Sequence, residues 1–218
     1  MAFTYNRNRQ AADAVLKICP SAVALPLDLL SLPSIESRVE EAESVLGGLD
    51  AFVQCAGVAI TVETADPRAH HLMGDVDDRA WGAMFDVNVR STFFAARRAA
   101  AAIGRSGGGN IVLVGSIDGI KAAPAPVHYA ASKGALAGMV PAMGKELGKQ
   151  GIRVNMVAPG ILEGGISDAI PDDLRAQYLK HCGLKRLGRP AEIANVIAWF
   201  ATRNTYVTGQ TILVDGAL

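Results

Sequence analysis

Tyr129 and Lys133, in the run Tyr129-Ala130-Ala131-Ser132-Lys133, set a phenol and an ammonium four residues apart. On a helix that spacing puts both on one face. A free phenol titrates near ~10 and exchanges its proton poorly at neutral pH. A neighbouring cation favours the phenolate and makes the pair a usable acid and base. By itself the spacing is common and describes an ordinary exposed helix pair. Two further residues give it weight. Ser116 stands thirteen positions earlier, directly after an apolar strand-like run. Asn88 lies inside a long helical pattern, where asparagine has poor propensity.

The elements that must carry these side chains are also marked. Short apolar runs predict strands over 2–5, 22–27, 51–54, 111–115, 153–158 and 211–214, mostly of the kind buried on both faces. Helical patterns cover 10–18, 35–46, 77–103, 129–149, 172–181 and 191–202, with Ser34 as the cap of the second. Alternation of strand and helix implies crossover units and a helix-flanked parallel sheet in one α/β domain spanning 1–218. Ligands of such sheets bind beyond the carboxyl ends of the strands. The residues there are Asn6-Arg7, Asp28-Leu29, Cys55-Ala56-Gly57, Ser116-Ile117-Asp118-Gly119 and Pro159-Gly160.

Composition removes other classes. Half of the 218 residues are hydrophobic, so a sizeable core is available and disorder is excluded. Twenty-one basic residues balance 21 acidic ones, which argues against an electrostatic nucleic-acid or membrane binder. Arg97-Arg98 in the alanine-rich run 95–102 is read as helix surface rather than a nucleic-acid patch. No apolar run has the length to span a bilayer and no signal peptide is visible, which predicts a cytoplasmic protein. Cys19, Cys55 and Cys182 lack paired spacing and read as reduced thiols, Cys55 as a small buried filler. His70-His71 in the irregular stretch 58–78 lacks a third ligand, so no metal is expected.

Taken together, Asp28, Ala56-Gly57, Asn88, Ser116, Tyr129/Lys133, Asn155, Pro159-Gly160, Arg186-x-Gly188-x-Pro190-x-Glu192 and Thr208-Gly209-Gln210 with Asp215-Gly216 resemble the short-chain dehydrogenase/reductases. The likeness is greatest to the 3-oxoacyl-(acyl-carrier-protein) reductase-like branch and runs from Phe3 to Gly216. It implies a Rossmann-like doubly wound sheet, a nicotinamide cofactor, a small carbonyl or alcohol substrate, and a homo-oligomer, dimer or tetramer. Tyr129 would be the acid for ketone reduction and the base for alcohol oxidation. Lys133 would also hold the nicotinamide ribose, Ser116 the carbonyl oxygen, and Asn88 a water of the proton relay. On the cofactor side, Asp28 and Leu29 would meet the adenine, and Cys55, Ala56 and Gly57 its ribose. Pro159, Gly160 and Leu162 would line the nicotinamide end. After the first strand stand Asn6 and Arg7 rather than an acid, and an arginine there can pair with a 2′-phosphate. NADP(H) is therefore preferred and NAD(H) remains possible.

Several positions depart from the family pattern. Its opening strand, Thr-Gly-x-x-x-Gly-x-Gly turn and helix do not occur in these 218 residues, so an N-terminally truncated fold is expected, its sheet in two parts. A start about 30 residues upstream is favoured over a shortened paralogue. Gln54-Cys55 replaces Asn-Asn, Gly164 replaces a threonine, Ala217 a glycine, and Pro141 predicts a kink after Lys133. Two rival readings stay open: a non-catalytic scaffold that binds no dinucleotide, and a lyase or epimerase on the same fold.

Overall fold

β-Branched and other apolar residues fill two strands almost without interruption, β4 (Gly109–Val114) and β5 (Ile152–Pro159), and these form the centre of the molecule. The computed structural model describes residues 1–59, 73–123 and 125–218, without the side chains of Ile166 and Ala169. Ahead of the centre come β1 (Ala2–Tyr5), α1 (Arg9–Ile18), β2 (Val23–Pro26), α2 (Leu32–Leu46) and β3 (Ala51–Gln54). Next are α3 (Asp78–Phe85), a π turn (Asp86–Arg90) and α4 (Ser91–Arg105), which leads into β4. α5 (Val127–Leu147) joins β4 to β5, and α6 (Asp172–His181) and α7 (Pro190–Thr202) lead to β6 (Thr211–Val214).

All strand pairs are parallel, in two sheets: β1–β2, and β3–β4–β5–β6 in that order. Because side chains alternate across a strand, the larger sheet buries two faces. Ile111, Leu113, Val154 and Met156 pack with Ile103 of α4 and Leu136 and Val140 of α5. Val112 and Val157 pack with Ile193 and Phe200 of α7 on the other side. Helices thus cover both faces, which is the expected doubly wound arrangement. Leu113 is fully buried. Leu113→Ala is expected to cost about 2–5 kcal/mol, read as a lowered urea midpoint with an unchanged slope.

Three expectations need correction. The strands are not mostly buried on both faces: that holds for β4 and β5, whereas β1, β2, β3 and β6 each leave residues exposed. The physical reason is position, since among the described residues only β4 and β5 have a strand on each side. Helix α2 begins three residues earlier than predicted, capped by Ser31, whose hydroxyl accepts from the Ser34 N–H. The predicted single helix over 77–103 is two helices joined by the π turn. There Ser91 and Thr92 hydroxyls donate to the Val87 and Asn88 carbonyls, competing with regular helical bonding.

The arginine pair on α4 has a structural use. Arg97 pairs with Glu36, and Arg98 with Glu40 and Glu43 of α2; Arg105 also pairs with Glu43. α5 runs unbroken through Pro141.

Candidate functional site

Parallel pairing brings the ends of β3, β4 and β5 into line, since Gln54 lies opposite Leu113 and Leu113 opposite Met156. Cys55–Gly57, Ser116 and Pro159–Gly160 therefore follow at one carboxyl edge. Ser116 is held there by backbone bonds on both sides, Gly115 N–H to the Val157 carbonyl (2.8 Å) and Ile117 N–H to the Pro159 carbonyl (3.0 Å). The chain then turns back onto α5 at Gly119, whose φ is +85°. A Cβ on Gly119 would stand 2.3 Å from the Ala130 carbonyl oxygen and 2.5 Å from the Gly134 nitrogen. The serine loop is thus seated on the turn of helix that carries Tyr129 and Lys133.

Within this corner the predicted groups converge. The Ser116 hydroxyl lies near enough to the Tyr129 phenol to favour its ionised form. It also donates to Asp118 Oδ2 (2.8 Å) and accepts from the Asp118 N–H (3.2 Å). Lys133 Nζ lies 5.7 Å from the centre of the Tyr129 ring. Burial pushes the phenol up to about 12, offset in part by Ser116 and reinforced by the Asp118 charge. Burial likewise brings Lys133 down to about 8, against the pull of Asp118 and Cys55. Asp118 itself is held above the ordinary carboxylate range by burial, with Ser116 and Lys133 acting in the opposite sense.

Asn88 is buried on the π turn, and its side chain is fully engaged. Its Oδ1 accepts from Val58 N–H (2.8 Å), and its Nδ2 donates to the Val58 carbonyl (2.8 Å) and Ser132 Oγ (3.0 Å). It stitches the segment after β3 to α5. Gly57 in that segment makes a close approach: a Cβ would meet Asn88 Oδ1 at 2.9 Å and Lys133 Nζ at 3.4 Å.

The remaining predicted positions are distributed as follows. Asn6 and Arg7 are exposed after β1, at the carboxyl edge of the two-stranded sheet. Asp28 follows β2 there, with Oδ1 accepting from the Leu30 N–H (3.0 Å) and Leu29 half-buried beside it. The Ala56 carbonyl accepts from Gln54 Nε2 at 3.4 Å. Cys55 is exposed, not the buried filler expected, because β3 ends at Gln54 and the residue lies past its paired part. Pro159 is buried, Gly160 would clash through a Cβ with the Tyr178 hydroxyl at 2.3 Å, and Leu162 bridges to Gly188. His70 and His71 lie outside the described residues; among those described, no group of three potential metal ligands occurs. Asp118 was missed as a site residue. Its signal was an acid two places after a candidate serine in the same post-strand segment.

A nicotinamide dinucleotide is the group the sequence implies, and the buried ammonium tests its fit. Lys133 is 7% exposed, yet its one hydrogen bond among the described residues is a 3.5 Å contact with the Val114 carbonyl. An ammonium has three donors, and leaving them unmet in a buried site is costly. Beside it, Gly57 brings bare backbone against the ammonium, where a Cβ would stand 3.4 Å from Nζ. Spare donors on a buried ammonium suit the hydroxyls of a ribose.

A family model described as Enoyl-(Acyl carrier protein) reductase matches residues 1–218. The 3-oxoacyl-(acyl-carrier-protein) reductase FabG of Staphylococcus aureus strain Mu50 is 29% identical over 223 residues, covering 100% of this chain and 87% of its own. The FabG of Escherichia coli strain K12 is 32% identical over 195 residues, 89% of this chain and 76% of its own. Among solved structures, a putative short-chain alcohol dehydrogenase from Sinorhizobium meliloti 1021 superposes with a TM-score of 0.85 at 29% identity, covering 99% of this chain and 84% of that one. A short-chain dehydrogenase/reductase from Serratia marcescens gives 0.85 at 28% identity, with 99% and 86% covered.

Proposed function

The chain belongs to the short-chain dehydrogenase/reductase family, whose members act on alcohol and carbonyl groups, and we propose that it interconverts a ketone and a secondary alcohol using NADP(H). A 3-oxoacyl thioester is the leading substrate, by likeness to the FabG relatives. The observation that carries the reading is the corner where buried Ser116 and Lys133 meet half-buried Tyr129 beside the bare backbone of Gly57.

A bound nicotinamide supplies the hydride chemistry. The protein's own groups manage the oxygen and its proton. Tyr129 gives a proton to the substrate oxygen in reduction and takes it back in oxidation. Ser116 orients that oxygen, and donors so aimed at developing charge are worth several kcal/mol of barrier, on the order of 3. Lys133 holds the ribose with its spare donors and stabilises the phenolate through its charge. Cys55, Ala56, Gly57, Pro159, Gly160 and Leu162 border the cofactor at the larger sheet. Asp28 and Leu29 serve the adenine, while Asn6 and Arg7 meet a 2′-phosphate. Asn88 braces the segment after β3 against α5 through its amide and anchors a water of the proton relay.

Exposed Trp81 on α3 and Phe93 on α4, with Arg90 and Arg97 stacked over Phe94, support a homo-oligomer built on that side. Among the described residues no helix is long and apolar enough to cross a membrane. That fits work in the cytoplasm on a small-molecule substrate.

The test is NADPH oxidation with a panel of ketones, followed across pH in both directions. With the phenol held up to about 12, its acid form persists through the neutral range. Oxidation needs the phenolate, so its rate should rise about tenfold per pH unit below the phenol's titration, while reduction does not gain from added base. A protein that binds NADPH but consumes none with any ketone refutes the reading.

A further inference from the structure

Resting on the functional reading above, we propose that Asp118 governs when Ser116 can act on the substrate oxygen. As a carboxylate it holds the serine's one donor, and as a neutral carboxyl it gives that donor back. Asp118 is thus a positioning residue that works through Ser116, and its charge tunes ketone reduction.

A hydroxyl has one proton to donate and two lone pairs with which to accept. Ser116 donates to Asp118 Oδ2 at 2.8 Å and accepts from the Asp118 N–H at 3.2 Å. Both bonds close on a single residue, and Ser116 is buried. What remains is an acceptor, and a carbonyl oxygen is an acceptor too. The clasp is also held from behind. The Ile120 and Lys121 N–H groups both donate to the Ile117 carbonyl, at 3.0 and 2.8 Å, and close the loop that carries Asp118. Gly119 rests on the α5 backbone without room for a Cβ. The groups facing Asp118 are Ser116 on its own loop and Tyr129 and Lys133 on α5; Cys55, after β3, faces Lys133. Lys121, later in the loop, pairs with Asp215 at 2.6 Å.

Protonation reverses the bond. A neutral Asp118 carboxyl donates to Ser116 Oγ, which then accepts from both that carboxyl and the Asp118 N–H. The serine proton is left for the substrate oxygen, where a donor aimed at developing charge lowers the barrier. Asp118 is half-buried, so its proton exchanges with water. Burial holds it above the usual carboxylate range, with Ser116 and Lys133 acting in the opposite sense. The reversal therefore falls at a higher pH than for a free carboxylate. Reduction is fastest below the Asp118 titration and slows, as pH rises through it, to a lower plateau.

Asp118→Asn removes the charge and leaves a side chain whose Nδ2 can donate to Ser116 as the neutral acid does. Above the Asp118 titration its kcat/KM for ketone reduction is expected to rise at least about threefold, with NADPH affinity within about twofold, because a charged hydrogen bond is stronger than a neutral one. Its pH profile should stay on the fast plateau where the wild type falls. Asp118→Ala, which cannot hold the serine proton, should show the same gain. Loss of the Asp118 charge also eases ionisation of Tyr129, so the deciding comparison is made in Ser116→Ala at raised enzyme concentration. With the serine gone, adding Asp118→Asn should change kcat/KM by less than about 1.5-fold. A gain that persists in that background acts through Tyr129 and overturns the proposal. So does unchanged or lowered kcat/KM in the folded Asp118 variants, or wild-type reduction that is flat through the acid and neutral range. Wild-type protein inactive on every ketone overturns the functional reading itself, whereas an active wild type matched by both Asp118 variants overturns the restraint on Ser116 alone.

Discussion

Tyr129→Phe is expected to lower turnover by about 10²- to 10⁴-fold while dinucleotide affinity and fold are kept. The change removes one oxygen from a half-buried ring and leaves its shape. What is lost is the proton that Ser116 and Lys133 are arranged around. No other described phenol replaces it: Tyr178 is committed to the Asp215 carbonyl at 2.8 Å, Tyr5 ends β1 of the other sheet with its hydroxyl accepting from Arg9, and Tyr206 is 94% exposed. The measurement is kcat at saturating NADPH, with affinity followed by cofactor fluorescence and fold by circular dichroism. Turnover within a few-fold of wild type would remove Tyr129 from the chemistry.

Gly119→Ala is expected to produce the second large loss, about 10²-fold in kcat/KM, by shifting Ser116 rather than deleting it. Both neighbours of the added Cβ, the Ala130 carbonyl and the Gly134 nitrogen, are helix backbone and cannot rotate aside. The left-handed φ of +85° adds a conformational cost. Gly47→Ala is the control. It has a similar φ of +74° at the end of α2 but open space around it. It should lower the melting temperature modestly and leave kcat/KM unchanged. Equal effects of the two substitutions would mean that strain alone matters and that the seating of the serine loop does not.

How far the sequence led depends on the range of the contacts involved. Tyr129 and Lys133 were legible because helical spacing is local, and Ser116 because it closes an apolar run that became β4. The six strands were found within a residue or two for the same reason. Asn88 was singled out by its poor propensity, but its partners, Val58 and Ser132, are 30 and 44 residues away and no local pattern announces them. The burial of β1, β2, β3 and β6 was overestimated because apolar composition does not say which strands have two neighbours. Asp118 was quoted with its segment yet given no role, since its importance comes from a hydroxyl two residues back and from a helix folded over it. The fit of Gly119 is likewise visible only once the loop meets α5.

The π turn between Asp86 and Arg90 has a genetic corollary. Such a turn accommodates a residue more than regular helical bonding does, so an in-frame loss of one codon there would yield an uninterrupted α-helix. The repaired helix would keep its register, since a π turn and an α turn each complete about 360° and the first merely spends one residue more. Trp81 and Met84 upstream would stay aligned with Thr92 and Ala96 downstream. The damage of such a deletion should therefore fall on Asn88, whose bonds to Val58 and Ser132 depend on its place in the turn, rather than on the packing of α3 and α4.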